Sequence, residues 1–349
     1  MRESLVRALV LPALILFPAR GVEAQRAPLE GLDEYIEAAM PAWDVPGLAI
    51  AVVKDDSVVH ARGFGVRRAG GTAPVTEHTP FLVASLTKAF TAAAVGLQVD
   101  AGRMRWDDPV IEHLPGFRLR DPWVTETITL RDLLAHRSGL PQTLVLWNGS
   151  ELGRAELIAR LSELEPVATF RGRWTYQNIL YLAAGEAAGR AAGEGWDALV
   201  EERIFAPLGM RESVTSLTRA DTTRAAWGHL IVDGRVTPIP WRNFDNIGPA
   251  GSIMSTAADM AQWARMLLAG GRFEGRRILD STTVAQMMAP QIPMDEWWAR
   301  TMYNPEAHFI AYGLGWTLHD YRGRKVVEHT GELHGMTAVL ALVPEERLG

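Results

Sequence analysis

A single charged residue lies in the most apolar part of this chain. Residues 81–99, FLVASLTKAFTAAAVGLQV, put apolar side chains on nearly every face of the helix they would form, with Lys88 among them. A helix of that kind is buried on all sides in a globular protein. Burial disfavours the charged form of an amine and lowers its pKa. The stretch therefore predicts a central helix that holds a poorly hydrated lysine.

Ser85 precedes this lysine by three residues. Side chains at that spacing share a helix face, with Cβ atoms about 5–6 Å apart, so the amine of Lys88 can reach the hydroxyl. An amine with a lowered pKa can act as a base toward a hydroxyl near neutral pH. Ser85 also falls at the expected helix N-terminus, where free N–H groups favour a developing negative charge. The alternative is an ordinary structural pair, a capping serine and a lysine whose amine extends to the surface.

The composition indicates a globular protein that does not bind nucleic acid. Of 349 residues, 48% are hydrophobic and 22% are charged, which supports a large core. A net charge of -6 and a pI near 5.9 lack the basic face that nucleic acid or an anionic membrane needs. The expected partner is a small-molecule or peptide substrate. The absence of cysteine excludes disulfides, a thiol nucleophile and thiolate metal sites.

The N-terminus has the pattern of a secretory signal. A charged start is followed by an apolar run from Ala8 to Phe17 and by small residues up to Ala24. The run is shorter than the roughly twenty residues of a spanning helix, so residues 1–24 are predicted to be a signal peptide cleaved after Ala24. An uncleaved anchor is the alternative. Cleavage would leave no stable membrane insertion and a periplasmic or secreted bacterial protein.

The order of the predicted elements indicates a mixed fold. Two β-branched runs, GLAIAVVKDD and SVVHARGFGV, predict an antiparallel hairpin after a helix over residues 29–40. Helical patterns prevail from Ser85 to about Arg224, and strand patterns return near the C-terminus. Strands at both ends suggest one sheet that both ends complete, with a helical region inserted. No repeat or linker divides residues 25–349, which are predicted to be one domain.

Other motifs favour structural roles. Asp107 and Asp108 precede Pro109, which is typical of a turn and helix start rather than of a catalytic carboxylate pair. His329 and His334 lack a third nearby ligand for a metal. The sequence contains no HExxH motif, no phosphate-binding loop and no G-x-S-x-G motif. We therefore expect neither a metal nor a cofactor.

Further motifs carry a resemblance to a known family. Tyr176-Gln177-Asn178 stands at a predicted helix start, and His329-Thr330-Gly331 lies in a predicted strand near the C-terminus; LLAHRSGLP and FAPLGM lie in the helical part. Together with Ser85 and Lys88, these motifs resemble the penicillin-recognising serine hydrolases of the class C β-lactamase type. D-aminopeptidases, D-Ala-D-Ala carboxypeptidases and esterases are relatives. The likeness runs from Val45 to Gly349. It implies an α/β fold of the α+β type, an antiparallel sheet flanked by helices with an inserted all-helical subdomain.

The resemblance also implies roles for individual residues. Ser85 would be the nucleophile, Lys88 its activating partner, and Tyr176 the group that carries a proton to the leaving group. The backbone N–H groups of Ser85 and Glu332 would bind the oxyanion, where one donor is worth about 3–4 kcal/mol in other serine hydrolases. The implied substrate-binding residues are Asn178, His329, Thr330, Gly331 and Glu332.

His329 departs from the pattern of many β-lactam-handling members, which carry lysine at that position. A neutral imidazole attracts a substrate carboxylate far less than a fixed ammonium does. We therefore expect an exported hydrolase that acts through an acyl-enzyme on small amides or esters of the D-amino-acid type. A β-lactamase or D-Ala-D-Ala carboxypeptidase is one alternative. A penicillin-binding sensor that is acylated without turnover is another.

The C-terminal residues carry one more expectation. In the family, the segment that corresponds to TAVLALVPEE is followed by a central strand and a closing helix. The present sequence is expected to stop short of both, because it ends at Gly349. Without that strand the two hairpins would face each other across unpaired backbone groups, which proteins avoid. We expect the isolated chain to have low stability or activity.

Overall fold

The predicted hairpin near the N-terminus is present. The computed structural model describes residues 29–295 and 305–349, so the predicted signal segment lies outside the described residues. Strand β1 (Gly47–Lys54) pairs antiparallel with β2 (Ser57–Gly65). Asp55 and Asp56 form the two-residue turn with φ of 50° and 66°, the left-handed conformation that such turns need and aspartate tolerates.

The helical region and the C-terminal strands follow in the order that the sequence predicts, and several short strands that it did not predict lie among them. The helices are α1 (Leu32–Ala42), α2 (Thr87–Asp100), α3 (Val110–His113), α4 (Pro122–Thr127), α5 (Leu130–Leu134), α6 (Leu144–Trp147), α7 (Arg154–Ala159), α8 (Asn178–Ala192), α9 (Trp196–Val200), α10 (Ala206–Leu208), α11 (Gly248–Gly251), α12 (Ala257–Leu268) and α13 (Ser281–Met287). The other strands are β3 (Phe81–Leu82), β4 (His229–Val232), β5 (Arg235–Pro238), β6 (Met254–Ser255), β7 (Arg272–Phe273), β8 (Arg276–Arg277), β9 (Ile292–Pro293), β10 (Ile310–Tyr312), β11 (Thr317–Tyr321), β12 (Arg324–Leu333) and β13 (Met336–Leu342).

The single sheet that the sequence suggests is divided in the structure. Strands β9 to β13 form a five-stranded antiparallel sheet in the order β13-β12-β11-β10-β9, whereas β1 and β2 form a separate two-stranded sheet. Strands β1 and β13 line the same cavity of about 610 Å³, together with side chains of α12. Backbone bonds between Val53 and Gly349 connect β1 to the C-terminal residues at one end. The prediction of a further central strand stays a prediction.

Helix α2 is the centre of the core, as its sequence predicts. Its side chains are buried from Thr87 through Gly96, and it packs against α8 and α11 on the helical side. Phe90 stacks on Trp263 of α12 at 4.2 Å between ring centroids. A helix that contacts neighbours on every side has almost no polar face, which explains the apolar run and leaves Lys88 without access to bulk water.

The helical region between α2 and β4 is held by buried charge pairs. A capping box between Thr129 and Asp132 begins α5, and the fully buried Asp132 carboxylate accepts from both Arg137 and Arg171. The predicted turn at 107–109 is confirmed, since Pro109 directly precedes α3. In the described part of the chain, no helix is long and apolar enough to cross a membrane.

Candidate active site

Ser85 and Lys88 meet as their spacing predicts. A short 3-10 turn over Ala84–Leu86 leads directly into α2, so both residues belong to one continuous helical segment. Lys88 Nζ lies 3.1 Å from Ser85 Oγ. Ser85 is partly exposed and Lys88 is fully buried. The hydroxyl therefore faces an accessible region while the amine approaches it from the protein interior.

The surroundings of the amine favour its neutral form. Burial lowers the pKa of Lys88 well below its usual range. Its Nζ donates to the carbonyl of Ala250 at 2.8 Å and lies 4.7 Å above the ring of Tyr176. A neutral amine keeps one lone pair for the Ser85 proton. The alternative of a lysine that extends to the surface is wrong, because the side chain is 0% exposed.

Tyr176 joins this pair from a segment 91 residues away. Its hydroxyl donates to Ser85 Oγ at 2.8 Å. Gln177 is the N-cap of α8, and its side chain accepts from the N–H of Ile179, which fixes where the helix starts. Asn178 is the first residue of α8 and is buried. The predicted helix start at 176–178 is confirmed, and it places Tyr176 on the chain just before the helix.

Strand β12 forms the wall opposite the helix. It packs directly on the turn that carries Ser85. A Cβ on Gly331 would lie 2.1 Å from the carbonyl oxygen of Val83 and 3.1 Å from the backbone nitrogen of Ser85. Thr330 and Glu332 flank this glycine, partly exposed and exposed respectively. The backbone at Gly331, directly before Glu332, therefore approaches the backbone nitrogen of Ser85 closely, which suits the predicted pair of oxyanion donors.

Replacing Gly331 by alanine should separate these two backbone segments. The added methyl overlaps the Val83 carbonyl, so β12 must move away from the Ser85 turn at a cost of about 1–3 kcal/mol in the free energy of unfolding. We expect hydrolysis to fall by about 100-fold, because a shift of about 1 Å is enough for that loss. Gly116→Ala is the control, since no atom lies within 4 Å of the added methyl. Wild-type rates in Gly331→Ala would contradict the placement of the oxyanion donors between β12 and the Ser85 turn.

His329 is buried and uncharged. Its Nδ1 donates to the carbonyl of Thr330 at 2.6 Å, so the hydroxyl of Tyr312 is the donor to Nε2 at 2.9 Å. Burial, together with the nearby Lys88, lowers the pKa of His329 to about 3. Both ring nitrogens are thus engaged by the protein. The ring lies near Lys88 but carries no positive charge for a substrate, and its role in substrate binding stays a prediction.

Three features of the site were not visible in the sequence. Ala84, directly before Ser85, has φ of +48°, a left-handed conformation that is rare for alanine and marks strain next to the reactive hydroxyl. The Ala250 carbonyl that accepts from Lys88 belongs to the short helix α11, whose sequence carries no chemical motif. Tyr312 lies in a short strand, and only its distance from His329 reveals their contact.

The fold places the chain among the proteins of the β-lactamase type. The family model described as Beta-lactamase matches residues 32–349. The chain belongs to that family, as the motifs predict.

Relatives with known names support the same class. The chain is 32% identical over 324 residues to penicillin-binding protein 4 of Amycolatopsis lactamdurans, covering 89% of this chain and 81% of that protein. It is 30% identical over 327 residues to an unguisins hydrolase of Aspergillus campestris, covering 89% of this chain but only 58% of the relative. The solved octameric penicillin-binding protein homologue from Pyrococcus abyssi matches with a TM-score of 0.80 at 26% identity, over 92% of this chain and 72% of that one.

Proposed function

We propose that this chain is an exported hydrolase that forms an acyl-enzyme on Ser85. One observation carries the proposal: Ser85 Oγ lies within hydrogen-bonding distance of both the Lys88 amine and the Tyr176 hydroxyl. The amine takes the proton as Oγ attacks the carbonyl carbon of the substrate. The backbone N–H groups of Ser85 and Glu332 stabilise the resulting oxyanion. Export is proposed from residues 1–24 alone.

The second half of the reaction uses the same groups. When the tetrahedral intermediate collapses, the bond to the leaving group breaks, and that group takes a proton from the Tyr176 hydroxyl. Lys88 in turn returns its proton to the tyrosine oxygen. Water then attacks the acyl carbon, gives its proton to this pair, and releases the acid and the free Ser85 hydroxyl. Asn178 is proposed to hold the acyl-side amide of the substrate.

The proposed substrates are small esters and amides of the D-amino-acid type without a required carboxylate. The uncharged His329, held between Tyr312 and Thr330, supports this choice. It provides no fixed positive charge for a substrate carboxylate at the position where many β-lactam-handling members carry lysine. The name of the Amycolatopsis relative supports penicillin binding, so a penicillin-binding sensor stays an alternative, as do a β-lactamase and a D-Ala-D-Ala carboxypeptidase.

A matched pair of peptides tests the substrate class. We expect an acyl-D-Ala-D-Ala carboxamide to be hydrolysed at least as fast as the same peptide with a free carboxylate, measured by product release under identical conditions. A preference for the free acid of about tenfold or more would contradict the proposal and favour a carboxypeptidase.

A fluorophosphonate probe and a p-nitrophenyl ester separate enzyme from sensor, because a sensor is labelled stoichiometrically without steady product release.

A further inference from the structure

His136 binds the backbone on both sides of Tyr176, at Thr175 and at Gln177. Its backbone carbonyl accepts from the N–H of Thr175 at 2.8 Å, and its ring Nδ1 accepts from the N–H of Gln177 at 3.0 Å. The ring centroids of His136 and Tyr176 are 4.4 Å apart. One residue therefore fixes the backbone before and after the tyrosine and also packs on its side chain.

The tautomer of this histidine follows from its partners. A backbone N–H can only donate, so Nδ1 is the unprotonated nitrogen and Nε2 carries the proton of the neutral ring. Burial, with Lys88 and His329 nearby, lowers the pKa of His136 well below its usual range. The ring is fully buried beside Tyr181 and Tyr312, at 4.9 and 5.0 Å between centroids. The acceptor at Nδ1 is thus available at neutral pH.

The segment that carries His136 is itself firmly held. His136 follows α5 in a left-handed conformation, φ +56°, which is uncommon for a residue with a side chain. Such a conformation persists only where the surrounding structure fixes it. The buried Asp132 provides this support, because it binds Arg137 on one side of His136 and Arg171 in the segment before Tyr176. The N–H of Arg171 also donates to the carbonyl of Arg137 at 2.8 Å.

An aliphatic side chain at position 136 would fill space but would not accept a hydrogen bond. Gln177 is fully buried, so its N–H would then lack a partner inside the protein. An unsatisfied buried N–H is avoided in folded proteins, and the chain would shift until the group found water or another acceptor. That shift would move Tyr176, the residue directly before Gln177. The ring nitrogen therefore controls the position of the tyrosine hydroxyl.

We propose that His136 is the positioning residue that sets the Tyr176 hydroxyl on Ser85. The proposal rests on the proposed function, in which Tyr176 supplies a proton to the leaving group. Its consequence is specific to the leaving group. An alkoxide needs that proton as its bond to the acyl carbon breaks, whereas p-nitrophenolate departs as a stable anion without it. A displaced tyrosine should therefore slow alkyl esters far more than p-nitrophenyl esters.

The test compares two esters with the same acyl group, an alkyl ester and a p-nitrophenyl ester, in the full chain. His136→Leu removes the acceptor, whereas His136→Asn offers an amide oxygen near Nδ1 and tolerates the left-handed backbone. We expect His136→Leu to lower kcat/KM about 100-fold on the alkyl ester and less than about tenfold on the p-nitrophenyl ester. His136→Asn should stay within about threefold of wild type on both. His136→Gly, which also suits the backbone and lacks the acceptor, replaces the leucine variant if that one does not fold.

Tyr176→Phe separates the positioning role of His136 from the proton-donor role of Tyr176. Suppose that Tyr176→Phe slows the alkyl ester selectively. The positioning role of His136 is then overturned if His136→Leu slows both esters equally, or if His136→Asn is no more active than His136→Leu. In both cases the proposed role of Tyr176 stands. If Tyr176→Phe itself shows no selectivity for the leaving group, the proposed role of Tyr176 fails, and the positioning role fails with it. Melting temperatures show whether a uniform loss follows from partial unfolding.

Discussion

Replacing Ser85 by alanine should abolish both hydrolysis and covalent labelling. The methyl group removes the one oxygen that lies between Lys88 Nζ and Tyr176 Oη, so no acyl-enzyme can form. Loss of the nucleophile in another serine hydrolase lowers kcat by about 10⁶-fold, and we expect a loss of that order. Ester hydrolysis and mass spectrometry after treatment with a fluorophosphonate measure the two effects. Stability should change little, because Ser85 is partly exposed.

Ser162→Ala is the matched control for this experiment. Ser162 lies in the 3-10 turn after α7, and its hydroxyl bonds only locally, to the carbonyl of Ala159. Its loss should leave both rate and labelling unchanged. A Ser85→Ala protein that still hydrolyses esters at more than about a tenth of the wild-type rate would show that another residue attacks the substrate.

Replacing Lys88 by methionine should give an inactive but more stable protein. Methionine has a similar length and no amine, so the packing of α2 is kept while the base is lost. General-base catalysis typically contributes about 10²–10⁴-fold, and we expect a loss toward the upper end because the same amine also serves Tyr176. Steady-state hydrolysis of an alkyl ester, whose leaving group takes a proton from Tyr176, measures the rate. Lys325→Met is the control, since Lys325 donates to the carbonyl of Met288 at the far end of β12.

The gain in stability expected for Lys88→Met should decrease as the pH rises. Burial lowers the pKa of Lys88, so between this lowered pKa and 10.5 the unfolded state binds more protons than the folded state. The free energy of unfolding of the wild type therefore rises with pH across that window. A tenfold change in the affinity of the amine for its proton corresponds to about 1.4 kcal/mol. Lys88→Met should be more stable than wild type near pH 7, and its advantage should shrink as the pH approaches 10. Urea denaturation at a series of pH values measures this difference.

Local patterns predicted much of the fold. The β-branched runs of β1 and β2 and the uniformly apolar α2 require particular surroundings, so their sequences nearly determine their structure. The contact between Ser85 and Lys88 follows from helix geometry alone. The division of the sheet did not follow, because strand patterns reveal which segments are strands but not whether two strand edges come within hydrogen-bonding distance.

Long-range contacts of the site could not be derived from spacing. Tyr176 reaches Ser85 across 91 residues, and only the resemblance to a family indicated that it would. The hydrogen bond between Tyr312 and His329 joins two strands that are not adjacent. No sequence pattern around either residue predicts this contact. The left-handed Ala84 is likewise a result of tertiary packing, because alanine prefers right-handed helix when local propensity decides.

The central claim is that the buried amine of Lys88 is uncharged and available as a base. The chain contains three lysines, Lys54, Lys88 and Lys325, so protein labelled with ¹³C at lysine Cε gives few signals to assign, with Lys88→Met and Lys325→Met as references. A pH titration followed by NMR should show the Lys88 signal already in its neutral form well below pH 10. A Lys88 signal that titrates near 10.5 would show a hydrated ammonium and would contradict the account.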